Sequence, residues 1–268
     1  MSAELTEKLN NQVRSVLEVY DRARENLGDK IPEVAIPTIV VVGDQSSGKS
    51  SVLESISQVN LPKGNRLVTS TPLILKLRTR TDGDKDYATV RSEEQPKEAS
   101  KLIENLSTIE DHIRSISAEL TEKHKSRIVD VPIHLTIFRE GQLDLTLVDL
   151  PGLYYSDKIM TAKIKDMWTR YISNQNAVIL YTMPCTNDLD TGEALALARD
   201  VDPQASRTLT IVTKIDMRES HFVEQIKEMS EGLGVVCVRN RNAQELADGI
   251  DFKQIRETEQ QIWLDPML

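Results

Sequence analysis

The sequence predicts an α/β domain with a mostly parallel central sheet and helices on both faces. Three observations carry that expectation. The apolar, β-branched runs Ile39–Val42, Leu145–Asp149 and Thr208–Val212 read as buried strands. Helical patterns alternate with them, which favours a parallel sheet covered on both sides. A glycine-bearing loop joins the first run directly to a helix, so a ligand would bind at the C-terminal strand ends.

The elements follow in order. Leu5, Leu9, Val13, Val16 and Tyr20 share one face of an N-terminal helix, expected within residues 1–30. Residues 31–250 form the main domain. Within it, the turn-forming Thr81–Asp86 is expected to close a hairpin between Leu73–Arg80 and Tyr87–Arg91. From Pro96 to Lys125, Leu102, Leu106, Ile109, Ile113, Ile116 and Leu120 recur at steps of 4 and 3, predicting a long helix packed on the sheet. A strand covers Ala177–Met183, and Asp190 is placed to cap a helix starting at Thr191. Residues 251–268 hold a last helix over Asp251–Trp263.

Composition narrows the function. The 268 residues are 39% apolar, enough for a core without staples. The two cysteines, Cys185 and Cys237, and the scattered His112, His124, His134 and His221 have no metal-binding spacing. The first residues lack an apolar signal region, and no run is long enough to span a bilayer, so a cytoplasmic protein without membrane insertion is expected. A net charge of −9 and an aromatic content of 4% argue against nucleic-acid partners.

The chemistry begins at Gly43-Asp44-Gln45-Ser46-Ser47-Gly48-Lys49-Ser50, which is G-x-x-x-x-G-K-S between a strand and a helix. Gly43 and Gly48 let backbone N–H groups approach phosphate oxygens. The helix beginning near Lys49 points its free N–H groups and positive dipole end at the same oxygens. Lys49 suits the β and γ phosphates, and the Ser50 hydroxyl suits Mg²⁺. These eight residues and Ser51 are the candidate phosphate-binding positions.

The second half of the chain separates the bases. Asp149-Leu150-Pro151-Gly152 ends a strand, so Asp149 is placed to hold Mg²⁺ through water and the Gly152 N–H to meet the γ-phosphate. Thr213-Lys214-Ile215-Asp216 ends another strand. The Asp216 carboxylate can accept from guanine N1–H and the 2-amino group, while the Lys214 stem covers the ring. Adenine lacks that donor pair. Between these motifs, the breaker-rich segment Leu61–Thr69 is suited to a switch loop, with Thr69 as candidate ligand of Mg²⁺ and of the attacking water.

Together these motifs resemble the dynamin superfamily. GDQSSGKSSVLE is similar to the Mx proteins, while Gly232–Arg241 and the ending Trp263–Leu268 look like plant Mx-like dynamin-related proteins. The resemblance implies a Ras-like P-loop GTPase domain of dynamin type. It implies that Gln45 positions the attacking water, and that Ser46 and the Gly64 carbonyl ligate a monovalent cation, K⁺ or Na⁺. It puts Thr69 on Mg²⁺ and the catalytic water, and Asn240 and Arg241 beside base and ribose. It also implies homodimerisation across the nucleotide face, where Asp188 and Asp190 could lie, and a role for the N-terminal helix in a bundle leading to a stalk. The chain stops before stalk sequence, so that helix is expected to meet a missing segment or a partner, with peripheral membrane association in a full-length context.

Three departures from the family stand out. Arg66 occupies a usual glycine position in the cation loop, as an internal arginine finger or as a solvated or phosphate-brushing arginine at the GTP site. Ser70-Thr71-Pro72 replaces a more basic stretch. The segment Gly152–Ile164 is shorter than usual. The expected function is Mg²⁺-dependent binding of GTP and its hydrolysis to GDP and phosphate, coupled to dimerisation. The alternatives are a GTP-gated assembly module with little hydrolysis and an ATPase of similar fold, the latter opposed by Lys214 and Asp216.

Overall fold

The computed structural model describes residues 38–63, 69–80, 85–141, 144–153, 157–187, 192–219, 222, 224, 226 and 234–263. The expected N-terminal helix, Gly64, Arg66, Asp188, Asp190 and His221 lie outside the described residues, as does most of the Thr81–Asp86 turn.

The strands are β1 (Thr38–Val42), β2 (Leu73–Arg80), β3 (Tyr87–Ser92), β4 (Lys101–Ile103), β5 (Ile133–Glu140), β6 (Leu145–Asp149), β7 (Ala177–Pro184), β8 (Thr208–Thr213) and β9 (Val235–Cys237). Among the described residues they form one nine-stranded sheet in the order β4-β3-β5-β2-β6-β1-β7-β8-β9. Five of the eight neighbouring pairs are parallel and three, around β2 and β3, are antiparallel. The helices are α1 (Lys49–Ser57), α2 (Ile109–His124), α3 (Lys158–Ile172), α4 (Glu193–Val201), α5 (Ala243–Ala247) and α6 (Phe252–Trp263).

Alternation along each strand divides the core into two layers. On one face, Val40, Val148, Ile179 and Val212 pack against Met160, Ile164 and Trp168 of α3 and Ala194, Leu195 and Ala198 of α4. On the other, Val41, Leu147, Leu75 and Leu135 meet Val52 and Leu53 of α1 and Ile109, Ile113 and Leu120 of α2. Each large side chain buried this way contributes about 1.5–3 kcal/mol. The expected α/β architecture, with helices on both faces, is therefore present. No helix among the described residues is long and apolar enough to cross a membrane.

Two local expectations are corrected. The strands β2 and β3 do not pair as a hairpin; β5 lies between them, parallel to β2 and antiparallel to β3. The alternating Ile133, Leu135 and Ile137 complete the apolar face shared by Leu73, Leu75 and Leu77 on one side and Ala88 and Val90 on the other. Nor does one helix begin at Pro96. Leu102 sits on the edge strand β4 and is 55% exposed, while the Asn105 side chain accepts from Ser107 N and starts a new turn that leads into α2. From Ile109 onward the expected stripe does pack on the sheet.

The register sets up the site. Val41 lies opposite Asp149, Val42 opposite Tyr181, and Pro184 opposite Thr213. The strands β6 and β1 thus end within one residue of each other and β7 and β8 three residues further on, and their following loops share one edge.

Candidate active site

The loop from Gly43 to Gly48 wraps the start of α1, with no acidic side chain in that helix's first turn. Its free N–H groups and the positive end of the helix dipole are thereby left to an anion. Gly43 has no alternative at its position: a Cβ there would come within 2.4 Å of the Thr182 carbonyl oxygen and hydroxyl. Ser46 holds a positive φ of 64° without being glycine, strain of the kind that concentrates at functional loops. Gln45 and Asp44 are half-buried and Ser46 is exposed, while Ser51 is half-buried in the first turn of α1.

Lys49 is almost fully buried, and its Nζ donates to the carbonyls of Gly43 (3.0 Å) and Asp44 (2.9 Å). Burial pushes its pKa down to about 8, against the opposing pull of the Asp149 and Asp44 carboxylates. The Ser50 hydroxyl donates to Asp149 Oδ2 at 3.0 Å. Burial pushes Asp149 up to about 6, opposed by the Lys49 charge and by hydrogen bonding from Ser50 and Thr69. Ser50 and Thr69 therefore both hydrogen-bond the Asp149 carboxylate, and the Lys49 charge lies close enough to act on it.

Asp149 Oδ1 is buried without a hydrogen-bond partner among the described residues. A buried carboxylate oxygen in that condition is costly unless something else satisfies it. Two hydroxyls and an oxygen-only carboxylate form a hard donor set, which fits Mg²⁺ with its retained waters.

Gly152 lies beneath the loop. A Cβ on it would stand 2.8 Å from Lys49 Nζ and 3.0 Å from Gln45 Cα. The chain is held there by a bridge between Asp44 and Leu153, and by the Trp168 indole, which donates to the Pro151 carbonyl at 2.9 Å.

Thr213 braces the loop. It is buried, and its hydroxyl donates to the Ser47 carbonyl at 2.7 Å, tying the end of β8 to the phosphate loop. Its neighbour Lys214 has a φ of 58°, Ile215 is buried, and Asp216 is exposed on the short turn Ile215–Met217. Cys185 Sγ, buried at the end of β7, donates to the Lys214 carbonyl at 2.9 Å.

Arg241 is not brought to the loop. Its guanidinium donates to Asn60 Oδ1 (2.9 Å) and the Ile250 carbonyl (3.2 Å), and it lies 3.9 Å over the Phe252 ring. Asn240 keeps a buried Nδ2 without a partner among the described residues.

Sequence reasoning missed Thr182. Its hydroxyl lies 2.8 Å from Ser47 Oγ and donates to the Val42 carbonyl at 3.2 Å, so β7 also braces the loop. The available signal was a hydroxyl inside the apolar run Val178–Met183.

A family model described as the Dynamin family matches residues 39–215. The chain is 33% identical to a putative dynamin-related protein 4A of Arabidopsis thaliana, over 91% of this chain and 81% of that protein. It is 33% identical to an interferon-induced GTP-binding protein Mx of Perca fluviatilis, over 97% of this chain and 88% of that one. It also shares 33% identity with dynamin-related protein 4C of Arabidopsis thaliana, over 91% of this chain but only 36% of that protein's length.

Proposed function

The chain belongs to the dynamin family and is a GTPase by that membership, and we propose that it binds GTP with Mg²⁺ on the Gly43–Ser50 loop and hydrolyses it there. The observation that carries this reading is the convergence of Lys49, Ser50 and Thr69 on the buried Asp149 carboxylate, whose Oδ1 has no partner among the described residues.

Ser50 and Thr69 would ligate Mg²⁺ directly and Asp149 through water; when bound, the ion would neutralise charge on the β and γ phosphates. Lys49 places an ammonium in a desolvated setting, where its field on the transferring phosphoryl group is strong. Its present bonds to the Gly43 and Asp44 carbonyls keep it extended along the loop. The N–H groups of the loop and of Gly152 hold the phosphate oxygens. Gln45, half-buried beside Lys49, and the Thr69 carbonyl orient the attacking water in line with the leaving oxygen. Asp216, exposed at the strand-end edge, accepts from the guanine N1–H and 2-amino groups, with Lys214 across the ring.

A monovalent cation, K⁺ or Na⁺, held by Ser46 and the Gly64 carbonyl, belongs to the same proposal, as does a homodimer across the nucleotide face. Two exposed apolar side chains support the dimer: Ile159 (75% exposed) begins α3, and Met217 (57%) follows Asp216. Both stand on the edge where the parallel strands end. A location in the cytoplasm, peripheral to membranes in a longer protein, completes the reading.

The test is GTP turnover against protein concentration, with and without K⁺, using Lys49→Ala as control. Turnover per molecule that rises with concentration and requires the cation supports dimer-coupled hydrolysis. GTP-dependent dimerisation with turnover no better than the control would identify a nucleotide-gated assembly module instead.

A further inference from the structure

One buried carboxylate close to the site takes no part in the mechanism above. Glu54 lies on α1 four residues after Ser50, so the two share a helix face one turn apart. Its side chain is 2% exposed, and burial pushes its pKa up, against the neighbouring Lys63. Three groups converge on it. The Leu61 N–H donates to Oε1 at 2.7 Å, the Lys63 ammonium pairs with Oε2, and the Arg241 guanidinium approaches the same oxygen at 3.8 Å. Lys63 is gripped a second time: its carbonyl accepts from Arg114 of α2 at 2.9 Å.

We propose that Glu54 is a positioning residue for hydrolysis, holding the root of the loop that delivers Thr69, with Arg241 bracing the same junction from the chain after β9. The inference rests on the reading of Thr69 given above. Leu61, Pro62 and Lys63 are the last described residues before residues 64–68, and Thr69 is the first after them. Thr69 acts on Asp149, and Asp149 accepts from Ser50. Both ends of the loop are therefore referenced to one face of α1, the near end through Glu54 and the far end through Ser50.

Energetics favour position over stability as the reason for this arrangement. A buried ion pair spends much of its attraction on desolvation, and an apolar replacement is often as stable. What a carboxylate adds here is geometry: one side chain fixes a backbone N–H, a lysine and an arginine at once. Arg241 has other partners in Asn60, Ile250 and Phe252, and the Lys63 side chain is 25% exposed. Removing the charge of Glu54 therefore strands neither cation, and Glu54→Gln keeps an acceptor for the Leu61 N–H.

The experiment compares wild type, Glu54→Gln, Lys63→Met and the double variant. It measures kcat for GTP, affinity for a fluorescent GDP analogue, and far-ultraviolet circular dichroism as a check on folding. Both single variants are expected to lose about tenfold or more in kcat, as a roughly 1 Å misplacement can cost about 10²-fold. GDP affinity should stay within about twofold, since GDP needs the phosphate loop and not Thr69. The double variant should be no worse than Glu54→Gln alone, because both changes release the same contact. Folded variants with unchanged kcat would overturn the inference while leaving the GTPase reading intact. So would GDP affinity falling in step with kcat, which would make Glu54 a scaffold of the phosphate loop. A wild type no faster than Lys49→Ala would overturn the GTPase reading, and this inference with it.

Discussion

The Thr213 hydroxyl, at the end of β8, donates to the carbonyl of Ser47 in the phosphate loop at 2.7 Å. Both residues are about 1% exposed, and they lie 166 positions apart in the chain. The bond ties the turn after β8 to the phosphate loop, so a change at one should be felt at the other. Thr213→Val keeps the shape and removes the donor, leaving a buried carbonyl less satisfied at a cost of about 1–3 kcal/mol. GDP affinity measured by fluorescence titration should weaken roughly tenfold, which is about 1.4 kcal/mol. Unchanged affinity would show that the two loops are positioned independently.

Gly152 offers a sharper test of the same packing. A Cβ would meet the Lys49 ammonium at 2.8 Å and the Gln45 backbone at 3.0 Å. The lysine tip can swing aside, but the Gln45 backbone cannot move without the phosphate loop. Gly152→Ala should therefore lower kcat for GTP by about 10²-fold, with a smaller effect on GDP affinity. Steady-state phosphate release and GDP titration on one preparation would separate the two. Equal losses in both would point to a collapsed loop.

How much of this was legible beforehand depends on the range of the interaction. The phosphate loop, Asp149 and the Thr213–Asp216 turn are strand-end motifs whose context is local, and the register of β6, β1, β7 and β8 gathers them. The β2–β3 hairpin was misread because turn residues report a reversal of chain and not which strands then pair. Here β5 satisfies both inner edges. Leu102 continued a helical spacing by chance across the Asn105 cap, a break that a periodicity count passes over. Thr182 was invisible because threonine is a common strand residue, and only the fold places its hydroxyl against Ser47. Arg241 matches a motif, and only the fold sets its guanidinium against Asn60, far away in sequence.

Asp202 predicts a pH-dependent stability. It is buried at the end of α4 and accepts from Ser206 N (3.1 Å), Ser206 Oγ (3.0 Å), Arg207 N (3.0 Å) and Thr208 Oγ1 (2.7 Å). Burial opposes its charge, but the bonds from Thr208, Arg207 and Ser206 prevail and hold its pKa below the usual carboxylate range. A depressed carboxylate contributes stability that is fully present above the unfolded pKa of about 3.9 and is lost as pH falls through the folded value. Asp202→Asn should cost on the order of 2–3 kcal/mol at pH 7, and the difference from wild type should shrink below about pH 4. Urea unfolding at several pH values would check it; a difference independent of pH would remove the charge from the explanation.

The last prediction concerns the base. Asp216 is exposed on a turn whose neighbours are fixed: Ile215 is buried, and the Lys214 carbonyl accepts from Cys185 Sγ. A carboxylate here presents two acceptors to the N1–H and 2-amino donors of guanine. Asp216→Asn would replace one acceptor with an amide donor, which faces the 2-amino group unfavourably but suits the 2-oxo group of xanthine. Sites built on paired hydrogen bonds discriminate by about 10⁴–10⁵ when a partner is lost; exposure of Asp216 lowers the expectation here to about 10²-fold or more. Competition of GTP, ATP and xanthosine triphosphate against a fluorescent GDP analogue should show GTP preferred by wild type and xanthosine triphosphate by the variant, with ATP weak in both. If the variant kept its preference for GTP, the base would have to be read elsewhere, and the orphaned amide of Asn240 would be the next residue to substitute.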